Sequence, residues 1–149
     1  MIHNWNNLSS HERISTWKEF REKIKDLPLD EKLSEVAIFW STLPLGARSL
    51  DFYTPNSWPT PWEILYHGMF CENTASIMMY YTLLLTVPED EVKINIWLID
   101  NGGDMFLVPV IDQQYVLNYI PREVAELADY KDDLLIRDKF KDMEIKPIV

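Results

Sequence analysis

This 149-residue chain is poor in the residues that most readily announce a function. One cysteine, Cys71, excludes an internal disulfide framework and any cysteine-rich zinc site. Three histidines (His3, His11 and His67) leave little for a histidine-based metal site, so no metal or other cofactor is expected. Bases number 14 against 24 acids, a net charge of −10, which excludes the clustered Lys and Arg that phosphate backbones require. No apolar run approaches the ~20 residues of a membrane span, and the polar start MIHNWNNLSSHER does not read as a secretory leader. Glycine is scarce as well: four in all, and Asn101-Gly102-Gly103 reads as a turn rather than a phosphate cradle. What is present is apolar surface, 47% hydrophobic and 13% aromatic, ample for a buried core. These features predict a soluble, intracellular protein of one domain, residues 1–149, without direct nucleic-acid or membrane contact.

The charge is unevenly placed. Residues 1–48 carry seven acids and seven bases, whereas residues 49–121 carry nine acids and a single base, Lys93. Most aromatics share that middle segment. It reads either as a core rimmed by solvated acids or as an acidic, aromatic face offered to a basic protein partner. Trp58, Trp62, Asp100, Asp104 and Asp112 are the candidate binding residues on the second view, with an exposed tryptophan as anchor. The three aspartates also flank turns, where Asp bonds its own backbone.

Local signals divide the chain. Ser9 with Glu12 is a capping box that opens a helix with Ile14, Trp17, Phe20 and Ile24 on one stripe, closed by Pro28. Asp30 caps a second helix with Leu33, Val36, Ala37 and Trp40 on its apolar side. Thr60-Pro61-Trp62-Glu63 joins a capping box to proline at the first helical position, and Gly68 ends the short helix that follows. Residues 72–86 are apolar nearly all round, which predicts a central helix with Ile77, Met78, Tyr81 and Leu84 buried. The period then falls to two: strands are predicted near 92–98, 106–111 and 115–120, with Pro109 awkward in the middle one. A charged helical tail is predicted from Pro121 onward, with Leu127, Leu134, Leu135 and Ile136. The fold class is therefore α+β: N-terminal helices (1–48), a core (58–120) with about three antiparallel strands, and a helical tail (121–149).

Cys71 opens the central helix, and a helix N-terminus favours thiolate. A cysteine at a helix start, followed by the strand-forming segment DMFLVPVIDQQYVLNYI, resembles the transglutaminase-like and papain-like families in the order of its parts. The core Pro59-x-Pro61-Trp62-Glu63…Tyr66…Cys71…Tyr81-Thr-Leu83 is also similar to small tailed-phage proteins, which would place the chain in a host cytoplasm or a virion. The resemblance spans roughly residues 58–120. It implies Cys71 as nucleophile, a histidine at Asp104 or Met105, and Asn118 as the residue that orients it.

The departure is plain, because no histidine follows His67. A Cys71–His67 dyad with Asn118 or Glu63 as orienter is the arrangement left to a thiol enzyme (peptidase, amidase or acyl transferase). Apolar neighbours such as Phe70 and an anion at Asp104 both work against a thiolate, so Cys71 is expected to be a small buried hydrophobe. The main expectation is a non-enzymatic acidic binding or assembly protein; the alternative is the thiol enzyme. A third reading, an acidic mimic of nucleic acid, would need carboxylates in rows, and here they cluster at turns.

Overall fold

Each helix starts where the chain offers a cap. The structure is a computed structural model that describes residues 4–46, 50–88, 91–141 and 145. Helix α1 (Ser10–Ile24) begins with Ser9 Oγ accepting from the Glu12 amide while the Ser9 amide donates to Glu12 Oε1. Helix α3 (Pro61–His67) repeats that exchange between Thr60 and Glu63, and Gly68 ends it in the left-handed region at φ 65°. Helix α2 (Leu29–Trp40) departs from expectation. Its N-cap is Pro28, not Asp30, and Asp30 instead sits in the first turn, where its charge complements the helix dipole. Helix α4 (Glu72–Thr86) has Cys71 as N-cap and is buried over most of its length.

The helices pack around α4 through polar atoms as well as apolar ones. Thr82 Oγ1, wholly buried, accepts from Trp17 Nε1 of α1 at 2.9 Å and Trp40 Nε1 of α2 at 3.1 Å, and donates to Met78 O. One hydroxyl thus satisfies two indoles from different helices. Lys32 is also buried, and its ammonium bonds Lys25 O and Thr86 O, the carbonyls at the C-terminal ends of α1 and α4. A cation there meets the negative ends of both helices, although burial lowers its pKa.

Five antiparallel strands form the sheet, in the order β4-β3-β2-β1-β5. They are β1 (Ile94–Asp100), β2 (Met105–Ile111), β3 (Tyr115–Val116), β4 (Ala125–Glu126) and β5 (Leu135–Phe140). Strands β1 and β2 pair along their full length, Ile94 opposite Ile111 and Asp100 opposite Met105. Alternation sorts their side chains. Ile94, Ile96, Leu98, Leu107 and Ile111 join the core shared with the helices, while Trp97, Ile99, Phe106, Val108 and Val110 form a second cluster on the other face.

The α+β class is as expected, but two parts of that expectation are corrected. The sheet has five strands rather than about three, and the described part of the tail is not helical: it holds β4, a 3-10 turn (Leu127–Asp129) and β5. Residues 142–144 and 146–149 of that tail lie outside the described residues, as does His3. The reason is tertiary. The second face of the sheet is apolar and needs a cover, which Tyr119, Ile120, Leu127, Tyr130 and Leu134 provide. The outer edge of β1 needs hydrogen-bonding partners, and β5 supplies them with charged side chains turned outward. Both demands override the helix-forming composition of the segment. Arg137 is the extra residue of a bulge in β5 and reaches Asp100 at 3.1 Å.

Pro109 finds its place by the same accounting. Leu107 N–H and C=O and the Pro109 carbonyl point away from β1, toward the side where β3 approaches. Leu117 N–H donates to Pro109 O, but proline has no N–H to return. The β2–β3 ladder ends there, so β3 has two residues instead of the six predicted, and the chain turns at Asn118 with φ 60°. At the other end of this hairpin Asp112 and Gln113 both have φ 56°, with Gln114 N–H on Ile111 O, the pattern of a type I′ turn. Glutamine is a costly residue in that conformation. Gln113→Gly, giving the favoured Asp-Gly pair, should raise stability by about 0.5–1 kcal/mol in urea unfolding. A loss of stability would contradict this account of the turn.

Candidate functional site around the start of α4

Cys71 stands where the resemblance requires, at the N-terminus of the buried helix that packs on the sheet. The residue is 4% exposed, and Sγ accepts from the Thr74 amide at 3.4 Å. Thr74 Oγ1 returns the bond, accepting from Cys71 N–H at 2.8 Å and lying 3.1 Å from Cys71 O. This is a capping box built on cysteine, so the sulfur serves the orphan amides of the helix.

The three catalytic candidates are not gathered into one hydrogen-bonded group. His67 is exposed at the end of α3, its ring edge-on to Tyr66 at 5.1 Å, and it makes no hydrogen bond to Sγ. The left-handed Gly68 lies between them and redirects the chain. Asn118 does approach the start of α4, but its amide is engaged elsewhere: Nδ2 donates to Glu72 O at 3.0 Å and to Ser76 Oγ at 2.8 Å. Ser76 Oγ in turn donates to Leu107 O at 2.7 Å, and Asn73 Oδ1 accepts from Leu107 N–H at 3.0 Å. Asn73 and Ser76 thereby complete the β2 edge that β3 leaves early. The position that the resemblance gives to a histidine holds Met105, the first residue of β2, 38% exposed, preceded by Asp104 in the turn.

The Asn118 network predicts a result that separates positioning of helix and sheet from orientation of a base. Its amide donates to Glu72 O and to Ser76 Oγ, and the Ser76 hydroxyl proton is already used on Leu107 O. Asn118→Asp should therefore cost about 1–3 kcal/mol in urea unfolding at neutral pH, because a carboxylate would face a carbonyl. Unchanged stability would show that the amide is not required as donor.

The electrostatics of this end are acidic. Glu72 is at the surface, yet the surrounding protein partly desolvates its carboxyl and raises its pKa, and the charge of Asp104 raises it further. Asp100, at the same β1–β2 turn, accepts from Gly102 N–H at 2.9 Å and from Arg137, and these bonds hold its carboxyl below the usual range. Asp132 and Asp133 line a depression with Asp100 beside that turn. Asp112 lies at the far end of β2, roughly 20 Å away at the usual rise per strand residue, and so belongs to a different surface. Trp58 is buried, donating to Asp51 O and packing edge-on to Phe140 at 5.1 Å, which makes it a core residue and not a surface anchor. Trp62 is 40% exposed and rests against Trp17 at 5.3 Å. The five candidate binding residues are therefore dispersed, with Asp100 and Asp104 together and the others apart.

Glu72, Asn73, Ser76 and the pair Asp132 and Asp133 belong to this end of the molecule and were not among the sequence candidates. Polar residues in a helix otherwise apolar all round were the available signal for Asn73 and Ser76. Nothing local marks the aspartates, which join the site only through β5. Among the described residues, no group of three or more His, Cys, Asp or Glu is arranged to hold a metal ion, and no helix is long and apolar enough to cross a membrane.

No family model and no curated protein sequence matches the chain. Solved structures do. LapG of Legionella pneumophila superposes with a TM-score of 0.72 at 18% identity, over 89% of this chain and 74% of LapG. The calcium-bound form of LapG gives 0.71 at 18% identity over 91% and 78%, and the EGTA-treated form 0.71 at 18% over 89% and 74%. At that identity the likeness concerns the fold alone.

Proposed function

We propose that the chain is a transglutaminase-like domain that holds a basic protein segment at the acidic end of the sheet, beside the start of α4, without cleaving it. The observation that carries this reading is the gathering of carboxylates about the β1–β2 turn, Glu72 with Asp104 and Asp100 with Asp132 and Asp133, while the Cys71 sulfur is buried and engaged as a helix cap. Arg137 is matched to Asp100, which leaves an excess of carboxylate for a cationic partner. The tailed-phage resemblance supports a host or virion protein as that partner.

A fluorescent oligolysine peptide tests it directly. Affinity should fall steeply with added salt, and Glu72→Gln with Asp104→Asn and Asp132→Asn should weaken binding at least about tenfold. Glu19→Gln with Glu35→Gln, on α1 and α2, should leave it nearly unchanged. Equal effects of the two sets would remove the acidic end as the site.

The fold itself favours a second reading, a thiol enzyme with Cys71 as nucleophile. LapG-like architecture and the helix-terminal cysteine speak for it. It requires a base that reaches Sγ, and Thr74 N–H is the group found there. Iodoacetamide should accordingly label native protein far more slowly than urea-unfolded protein, with Cys71→Ser unlabelled in both. Labelling of the native thiol as fast as the unfolded one, with amidase or peptidase activity lost in Cys71→Ser, would establish the enzyme and overturn the first reading.

A further inference from the structure

We propose that Asn101, in the turn between β1 and β2, is a site of spontaneous modification: it loses its side-chain amide as ammonia and becomes aspartate or isoaspartate. Of the eight asparagines in the chain, it alone precedes a glycine. The inference does not rest on the proposed function, although the charge it adds falls on the same surface.

The first step is a ring closure within the chain, so no encounter between molecules is needed. The Gly102 nitrogen attacks Asn101 Cγ and gives up its proton, while the Cγ–Nδ2 bond breaks and ammonia departs, leaving a cyclic imide. Water then opens one of the two imide carbonyls. One opening gives aspartate in an ordinary backbone; the other gives isoaspartate, with the chain routed through Cγ. Water is the only co-reactant, and nothing is oxidised or reduced.

The turn supplies what each part of that step requires. Gly102 has no Cβ to screen its nitrogen, and among the described residues nothing lies within 4 Å of where one would stand. Its N–H already donates to Asp100 Oδ1 at 2.9 Å, so an acceptor stands at the proton that must leave. Asp104 N–H donates to Asn101 Oδ1 at 3.4 Å, the oxygen on which negative charge develops when Cγ is attacked. Residues 101–104 are exposed, so water reaches the imide and ammonia can leave. Other asparagines lack this set. The amide after Asn73 is bonded to Cys71 Sγ, Asn95 lies in the paired strand β1, and Asn118 Nδ2 is held by Glu72 O and Ser76 Oγ. Asn56 is exposed but precedes a serine, whose side chain screens the attacking nitrogen. Conversion of Asn101 sets a new carboxylate between Asp100 and Asp104, in the depression that Asp132 and Asp133 also line, and the negative charge of that end rises with time.

The full chain, incubated in warm, mildly alkaline buffer made with isotopically heavy water, tests this by native isoelectric focusing and peptide mass mapping. An acidic form should accumulate, with heavy oxygen in the peptide that carries Asn101 and both aspartate and isoaspartate at that position. Asn101 should convert at least about tenfold faster than Asn56. Asn101→Gln, whose longer side chain would have to close a larger ring, should keep the parent's initial focusing position, and Asn101→Asp should start at the acidic one. Survival of the Asn101 amide in the folded chain, over a time that converts it in the guanidinium-unfolded chain, would overturn the proposal. So would equal rates at Asn101 and Asn56, or an acidic form that accumulates in Asn101→Gln as fast as in the parent.

Discussion

Replacing Thr82 by valine should lower stability by about 2–5 kcal/mol, although the two side chains have nearly the same shape. The change removes the one oxygen that accepts from Trp17 and Trp40. Both indole N–H groups would then lie in a dry core without an acceptor, and each unsatisfied donor costs about 1–3 kcal/mol. The Thr82–Met78 bond is lost as well, but its carbonyl retains the ordinary helical partner, so that term is small. Thr82→Ser keeps the oxygen and should cost only about 1 kcal/mol, the loss of a methyl group. Urea unfolding of the two variants separates hydrogen bonding from packing. A valine variant within about 1 kcal/mol of the parent would mean that the three helices are not joined through this hydroxyl.

Adjacent leucines on α4 should differ as sharply. Leu83 is wholly buried, and Leu83→Ala should cost about 3–5 kcal/mol from lost transfer energy and the cavity left behind. Leu84 is half-buried and lines a surface cavity at the end of α4 with Val87 and Ile94, and Leu84→Ala should cost about 1–2 kcal/mol, since water can enter the space. The periodicity of a helix apolar on all sides does not distinguish the two, and Leu84 was expected among the buried residues. The structure corrects this. Sheet and helices enclose α4 over most of its length, but its last turn emerges, with Leu85 40% exposed. Equal costs for the two variants would mean that the end of α4 is enclosed as well.

The same division runs through the site. Cys71 at a helix start and Asn118 on the third predicted strand were visible as positions, because caps and two-residue periodicity are local, although the structure ends that strand at Val116 and leaves Asn118 in the turn after it. Their roles were not. Whether a cysteine is a nucleophile or a cap depends on what stands within 3.5 Å of its sulfur, and that group is the amide of Thr74. Whether Asn118 orients a base or ties a helix to a strand depends on Ser76 and Leu107, which are 42 and 11 residues away in the chain.

Sequence alone determined the starts of α1, α3 and α4, the end of α3 at Gly68, the burial of the central helix, the β1–β2 hairpin and the α+β class. Each is written in interactions between residues a few positions apart: a hydroxyl and a glutamate three residues on, a glycine free to take positive φ, an alternation of apolar and polar side chains. Tertiary structure decided the fate of residues 121–141. Their composition suits a helix, but a sheet with two apolar faces and an open β1 edge gains more from a cover and a pairing strand than the segment gains from its own turns. It also decided the early end of β3, since Pro109 withholds a hydrogen bond from a strand that follows it across a turn, and it brought Asp132 and Asp133 to Asp100 from the far side of the sheet. Such outcomes depend on which surfaces remain uncovered once the local elements have formed, and that quantity has no local expression in the chain.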